Sequence, residues 1–435
     1  AISSKYLDSA LAIYESMQEK AEIGNVLINL GSASIAGGDF DKALSYFLKA
    51  EAVAKEMNNN NLLGDVYLYK GDLNRVLGEY KKAQAIFDTA YSYYDKIDNP
   101  WALASIFISY GNIYNSLGEY QLSIDNYSKS DSIYKSLEND YYRATPLNNM
   151  GTVYFWQGDY AAALPYFQKS LSILDSLKYF GDFRATVLSN IGEVLYEQKK
   201  YDEAEKFLIK SIEHAKKTGA KTYLTTPYGL LASLYIDTKK TDLAEKYAKL
   251  AYDLSTELKD RNDLMYSSLV LGRLNYIKND FKSSNKFLDN SIKLSQELGT
   301  NKLVYHSYYY KALNFQQEKN QDSSISYLRK AVNVLSDIRG KLVGGDKAAK
   351  LFSSGDLKVK IYEALINSFI QKGQLDSALY YLDMSYNEGL KEQFGNVTPK
   401  FDDKNQNEAI EKEKELKNKK SGLEEELQKE KSKPA

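Results

Sequence analysis

A stretch of twenty residues, Gly151–Ser170 (GTVYFWQGDYAAALPYFQKS), recurs along this chain at a fixed interval, and that interval constrains the fold more than any other feature. The same frame stands forty residues earlier at Gly111–Ser130 (GNIYNSLGEYQLSIDNYSKS), and again at Gly71–Ala90 and Gly31–Ala50. Self-similarity at such a period means an array of small structural units, each of which buries its apolar face only against its neighbours. One copy reads as the end of a helix, a Gly-Asp turn at Gly158–Asp159, and a second helix beginning near Tyr160.

Small residues mark the first helix of each unit at Gly31, Gly71, Gly111, Gly151, Gly192, Ala232, Gly272 and Ala312. Twelve residues after each comes another small residue: Ala43, Ala83, Ser123, Ala163, Ala204, Ala244, Ser284 and Ser324. Four further on stands a large one, Phe47, Phe87, Tyr127, Phe167, Leu208, Leu288 and Leu328, with Ala248 the exception. Spacings of three and four keep these residues on one helical face. Two antiparallel helices come close only where one side chain is small, and a bulky neighbour fills the space beside it. Gly38, Gly78, Gly118 and Gly158 are suited to the left-handed conformation that ends a helix. Later units carry Lys199, Lys239, Asn279 and the region of Asn320 there, which predicts looser turns. The array opens on a second helix, Ser3–Lys20, with Leu7 and Ala10 in the places of Phe167 and Ser170; a segment upstream is expected to complete that unit.

This small-large-small frame resembles the tetratricopeptide repeat (TPR) family over nearly the whole chain to about Ser336. The resemblance implies an all-α, right-handed superhelix (an α-solenoid) of about nine helix pairs, with a charged helical tail at the C-terminus. The period here is 40 or 41 residues, against about 34 for the common unit. The extra residues lengthen the helices, at ~1.5 Å per residue. Long-helix variants of this type are similar to those of bacterial peptide receptors and of cargo or polarity adaptors.

The array is expected to span residues 1–337. An inserted stretch, Ile338–Asp356 (IRGKLVGGDKAAKLFSSGD), then breaks the register, and a final helix pair follows at Ile361–Phe394. This 338–394 region resembles the segment that joins TPR arrays to CHAT domains, which are caspase-like cysteine peptidases. That resemblance implies a peptidase effector further along the polypeptide, whose His and Cys lie outside these residues. Residues 395–435 read as a linker around Pro399 and then a Glu/Lys-rich helix or disordered tail, in which Leu416 and Leu423 alone are too few to establish a coiled coil.

Composition narrows the function classes. A formal net charge of −1 provides no field to steer the protein to nucleic acid or an anionic membrane. No apolar run is long enough to span a bilayer and no targeting segment stands in these residues, so a cytoplasmic location is expected. With no cysteine there is no disulfide or thiolate chemistry within the chain. The two histidines, His214 and His306, stand on different repeats outside any metal-ligand spacing, so no metal site or cofactor is expected. Val343–Lys347 lacks the spacing of a phosphate loop. No catalytic constellation stands out, and a non-catalytic binding scaffold is expected.

The packing positions use one face of each first helix, which leaves an inner, concave face three before, one after and four after each marker. In the middle repeats this face carries Asn148, Thr152 and Phe155, then Ser189, Glu193 and Tyr196, preceded by Ile108, Asn112 and Asn115. Asn149, Asn190 and Asn29, two before their markers, fit the same groove. Amides donate and accept to a peptide backbone at once, and aromatics add contact area. The expectation is a groove for a protein or peptide ligand centred on Asn112, Asn115, Asn148, Thr152, Phe155, Glu193 and Tyr196. The same asparagines could instead bridge adjacent helices. A carboxylate clamp needs several cations, yet the row one after the marker reads Ser32, Asp72, Asn112, Thr152, Glu193, Ser233, Arg273 and Leu313. Two binding roles fit: a sensor controlling a C-terminal effector, or an adaptor or sensor region of a bacterial signalling or transcription-regulatory protein.

Overall fold

The structure, a computed structural model, describes residues 2–301, 303–340 and 356–385. The described secondary structure is helical, as the repeat frame predicts: a leading helix and nine pairs, with one 3₁₀ turn at Lys221–Tyr223. The chain falls into two compact units, one running to Leu258 and one beginning at Lys259.

The first unit holds α1 (Ile2–Met17) and six pairs. These are α2 (Lys20–Ala36) with α3 (Phe40–Glu56), α4 (Asn60–Val76) with α5 (Tyr80–Asp95), and α6 (Pro100–Leu117) with α7 (Tyr120–Ser136). They continue as α8 (Asp140–Trp156) with α9 (Tyr160–Ser176), α10 (Phe183–Glu197) with α11 (Tyr201–Thr218), and α12 (Thr225–Asp237) with α13 (Thr241–Glu257). The second unit holds α14 (Arg261–Ile277) with α15 (Phe281–Glu297), α16 (Val304–Gln317) with α17 (Gln321–Gly340), and α18 (Asp356–Gln371) with α19 (Leu375–Ser385). Within each unit a first helix packs chiefly on its own second helix, and that second helix packs on the first helix of the next pair. Helix α17 continues through Ile338–Gly340, where the register was expected to break. The remainder of the insertion, the end of the final pair beyond Ser385, and the Glu/Lys-rich tail lie outside the described residues. Among the described residues no helix is long and apolar enough to cross a membrane.

The small-large frame is the seam of each pair. A Cβ built on Gly31 would stand 2.3 Å from the Phe47 ring, one on Gly111 2.5 Å from Tyr127, one on Gly151 2.8 Å from Phe167 and one on Gly272 2.6 Å from Leu288. Any side chain at the marker would therefore push the paired helix away. Where the second small residue is serine it also pins the seam: Ser123 Oγ donates to the Gly111 carbonyl at 2.8 Å, and Ser284 Oγ to that of Gly272 at 2.8 Å. Ala248, the exception to the large position, faces a seam in which both it and Ala232 are fully buried. On α1, by contrast, Leu7 and Ala10 are only half-buried, whereas their counterparts Phe47 and Ala50 are sealed.

The turns are more uniform than the sequence suggests. Gly118 closes α6 at φ 78°, and the non-glycine residues Lys199, Lys239, Asn279 and Lys319 take the same left-handed conformation at φ 57–60°. In the last of these the residue is Lys319 rather than Asn320, whose side chain instead caps α17 by accepting from the Ser323 amide at 3.1 Å. Glycine adopts this conformation without strain, whereas these lysines and Asn279 carry a backbone cost there.

Candidate functional site

The first helices α6, α8 and α10 bring four of the nominated amides into one chain of hydrogen bonds. Asn190 Nδ2 donates to Asn148 Oδ1 at 2.8 Å, Asn148 Nδ2 to Asn149 Oδ1 at 3.3 Å, and Asn149 Nδ2 to Asn112 Oδ1 at 3.3 Å. The Tyr127 hydroxyl, from α7, donates to the same Asn112 oxygen at 2.7 Å. Asn148 is buried, while Asn112, Asn149 and Asn190 are half-exposed. Asparagine is a poor helix former with a short side chain; its presence at these positions suits a hydrogen-bonding role that crosses from helix to helix. Tyr127 could be read from the sequence only as a large packing residue, because its ring fills the seam against Gly111 while its hydroxyl emerges beyond it.

The other nominated residues stand in differing settings. Thr152 spends its hydroxyl on the Asn148 carbonyl at 3.2 Å, a bond within α8. Asn115 is half-buried, and its Oδ1 is sealed without a hydrogen-bond partner among the described residues. Phe155 and Ser189 were expected on the open face with Asn148; all three are nearly sealed, because successive first helices of this unit lie against one another there. Phe155 rests on Tyr160 with ring centroids 5.5 Å apart. Tyr196 is half-buried beside Tyr201, and its hydroxyl donates to Asp237 Oδ2 on α12. Ile108 packs under Leu147 and Met150, and Asn29 stands exposed on α2, outside the chain of amides.

Glu193 lies one turn from Asn190 on the same side of α10. It is half-exposed yet deeply surrounded, and burial, with the Glu197 charge adding to it, pushes its carboxyl up to about 8. Among the described residues it accepts no hydrogen bond and joins no ion pair. Glu197, one turn on, accepts from the Tyr160 hydroxyl at 3.3 Å.

Elsewhere in this unit an enclosed carboxylate is treated differently. Glu51 on α3 is buried, and burial works against its charge, but Lys55, Lys70 and the Tyr67 hydroxyl hold it down at about 2. The contacts are 2.6 Å to Lys55, 2.8 Å to Lys70 and 3.0 Å to Tyr67. Neither histidine joins the amides. His214 meets the Gly181 carbonyl at 3.0 Å. In the second unit, burial and then the charges of Arg273 and Lys358 push His306 down to about 3, so its ring is neutral at neutral pH.

Family models described as "tetratricopeptide repeat" match residues 102–176, 183–257 and 24–56. Among solved structures the chain is similar to a Rap protein complexed with competence and sporulation factor, at 15% identity and a TM-score of 0.58 over 85% of this chain and 98% of that one. It is similar to the apo form of the quorum sensor NprR from B. thuringiensis, at 16% identity and 0.53 over 76% and 97%. It is also similar to aspartyl phosphate phosphatase F from Bacillus subtilis, at 16% and 0.52 over 74% and 91%. At these identities the likeness is one of fold. No curated protein matches the sequence.

Proposed function

From the premise that the chain carries tetratricopeptide repeats, we propose that it is a non-catalytic, peptide-binding regulatory scaffold. Its ligand is an extended peptide held on the concave first-helix face from α6 to α10. The observation that carries this reading is the chain of amides Asn190–Asn148–Asn149–Asn112. Three of the four are half-exposed, so each keeps donor or acceptor capacity on its open side. A row of such groups suits a peptide backbone, which offers one donor and one acceptor per residue. Tyr196, half-buried beside the row, supplies apolar contact. Two of the similar structures carry names in keeping with peptide sensing: a Rap protein bound to competence and sporulation factor, and a quorum sensor.

The output of such a sensor lies beyond the array. The 338–394 segment favours a CHAT-type cysteine peptidase as the controlled effector, on its resemblance to the TPR–CHAT junction. An adaptor or transcription-regulatory role is the competing assignment. Selection of random nonapeptides on the full chain tests the binding role. Peptides retained by the wild type should be lost from Asn112→Ala/Asn190→Ala while the circular dichroism spectrum is unchanged. Equal retention by a folded double variant would remove the site from this face.

A further inference from the structure

We propose that Glu193 is the recognition point for a cationic group of the peptide ligand, either a Lys or Arg side chain or a free amino terminus. The inference rests on the peptide-binding role above and specifies the chemistry of one subsite.

Glu193 lacks a partner among the described residues. A carboxyl enclosed by protein ordinarily has a cation or several donors beside it, because desolvation of the charge is otherwise uncompensated. Polar side chains of α8, α9 and α10 find partners within the protein, although Asn190 keeps a second N–H. The Thr152 hydroxyl donates to the Asn148 carbonyl, the Asn190 amide donates to Asn148 Oδ1, the Tyr160 hydroxyl donates to Glu197, and the Tyr196 hydroxyl donates to Asp237. The flanking acids thus have hydroxyl partners within the protein, and Glu193 has none among the described residues. In the first unit the row one after the marker reads Ser32, Asp72, Asn112, Thr152, Glu193 and Ser233, without a cation. Any positive charge brought to this carboxyl must come from outside that row.

Position supplies the second half. Asn190 is the last amide of the chain, and Glu193 is three residues further along α10. Residues so spaced are neighbours on a helix surface, with Cβ atoms ~5–6 Å apart. A backbone lying on the amides therefore brings an adjacent side chain or its own terminus to Glu193. Glu197 adds a second negative charge at the same place, which favours a cation and rejects an acidic residue. The carboxyl, raised to about 8 by burial and Glu197, is mostly protonated at neutral pH in the free protein. An arriving cation stabilises the ionised form, so binding releases a proton. Glu197 and Tyr160, and beyond them Tyr196 and Asp237, are the other titratable groups bordering the spot.

The test uses the full chain and two nonapeptide libraries, one with free amino termini and one acetylated. Peptides selected by the wild type should be enriched in Lys or Arg at one position, or be retained only from the unacetylated library. The best peptide should bind Glu193→Gln at least ~tenfold more weakly, as expected for a close charge pair. Replacing its cation by norleucine, or acetylating it, should cost as much, and the two changes together little more. Calorimetry at pH 7 in two buffers should detect release of most of one proton with the wild type and none with Glu193→Gln. Peptides that depend on Asn112 and Asn190, yet lack a preferred cation or bind Glu193→Gln equally well, would overturn the subsite and leave the peptide-binding role standing. Retention of no peptide by the wild type would overturn both.

Discussion

Two enclosed carboxyls in the same unit, Glu51 and Glu193, sit in the same kind of helix array and titrate in opposite directions. Glu51 has the less exposed surface, yet two lysines and a tyrosine hydroxyl hold it ionised down to about pH 2. Glu193 still touches solvent, yet burial and Glu197 raise it to about 8. Solvent exposure alone therefore does not order the pair. What differs is the set of partners the protein provides, complete for Glu51 within α3 and α4 and missing for Glu193. An acid finished inside the fold contributes to the fold. An acid left unfinished on a face that also displays a line of amides is, on the proposal above, completed by its ligand.

The largest effect should come from the seams that hold both acids in place. Gly151→Leu would drive its side chain into the Phe167 ring, already 2.8 Å from the first added carbon. Overpacking of that kind costs ~1–3 kcal/mol, and displacement of a helix adds to it. Hydrogen exchange should show α8 and α9 losing protection first, and an unchanged exchange pattern would mean that the seam tolerates spreading.

Next comes Glu51→Gln, which leaves Lys70 partly buried beside a neutral amide; a loss of ~1–3 kcal/mol is expected at pH 7. The Glu51 carboxyl is held below its ordinary value near 4.5, so its contribution is present above that pH and fades as pH falls toward about 2. Melting curves of wild type and variant should accordingly converge in acid. A gap as wide at pH 2.5 as at pH 7 would assign the effect to packing rather than charge.

Glu193→Gln should behave in the reverse sense. A carboxyl raised from near 4.5 to about 8 leaves the folded wild type at full stability below pH 4.5 and progressively less stable as pH rises to about 8. The glutamine variant lacks that decline, so it should match the wild type at pH 4.5 and exceed it at pH 8.5. A gain of on the order of 1 kcal/mol is expected after allowance for the carboxyl's contact with solvent. A variant less stable than wild type at both pH values would give Glu193 an internal partner and dissolve the contrast with Glu51.

The smallest effect concerns the end of the amide chain. Tyr127→Phe keeps the ring in its seam and removes only the hydroxyl that reaches Asn112, at ~0.5–1.5 kcal/mol. Peptide binding should change with it if Asn112 is thereby released to turn; no change in binding would confine Tyr127 to packing.

The comparison also explains how much could be read in the residues alone. The pairing of helices was legible because each seam is written in contiguous spacings: Gly111 with Tyr127, Gly151 with Phe167. The stop at Lys199 was less so, since a lysine held left-handed by its surroundings leaves no mark of its own. Asn112, Asn148 and Asn190 could be nominated by their places on the first helices, but their bonding crosses 37 and 42 residues and depends on how one repeat rotates against the next. The same rotation closes over Phe155 and Ser189, which a single helix would leave open. The state of Glu193 was out of reach altogether, because it follows from how deeply the fold encloses it and from the Glu197 charge rather than from any motif.

The amides along α6, α8 and α10 all hand their hydrogens the same way, from Asn190 toward Asn112. Such a file has a head and a tail: acceptor capacity is left over at the Asn190 end and donor capacity at the Asn112 end. Reversing it requires every amide to turn over together, and the Tyr127 hydroxyl, already committed to the Asn112 oxygen, resists the first of those turns. A uniform polymer backbone laid along the file would thus meet different chemistry in its two senses. If the proposed site binds a peptide there, this polarity would favour one direction of the strand without using any net charge.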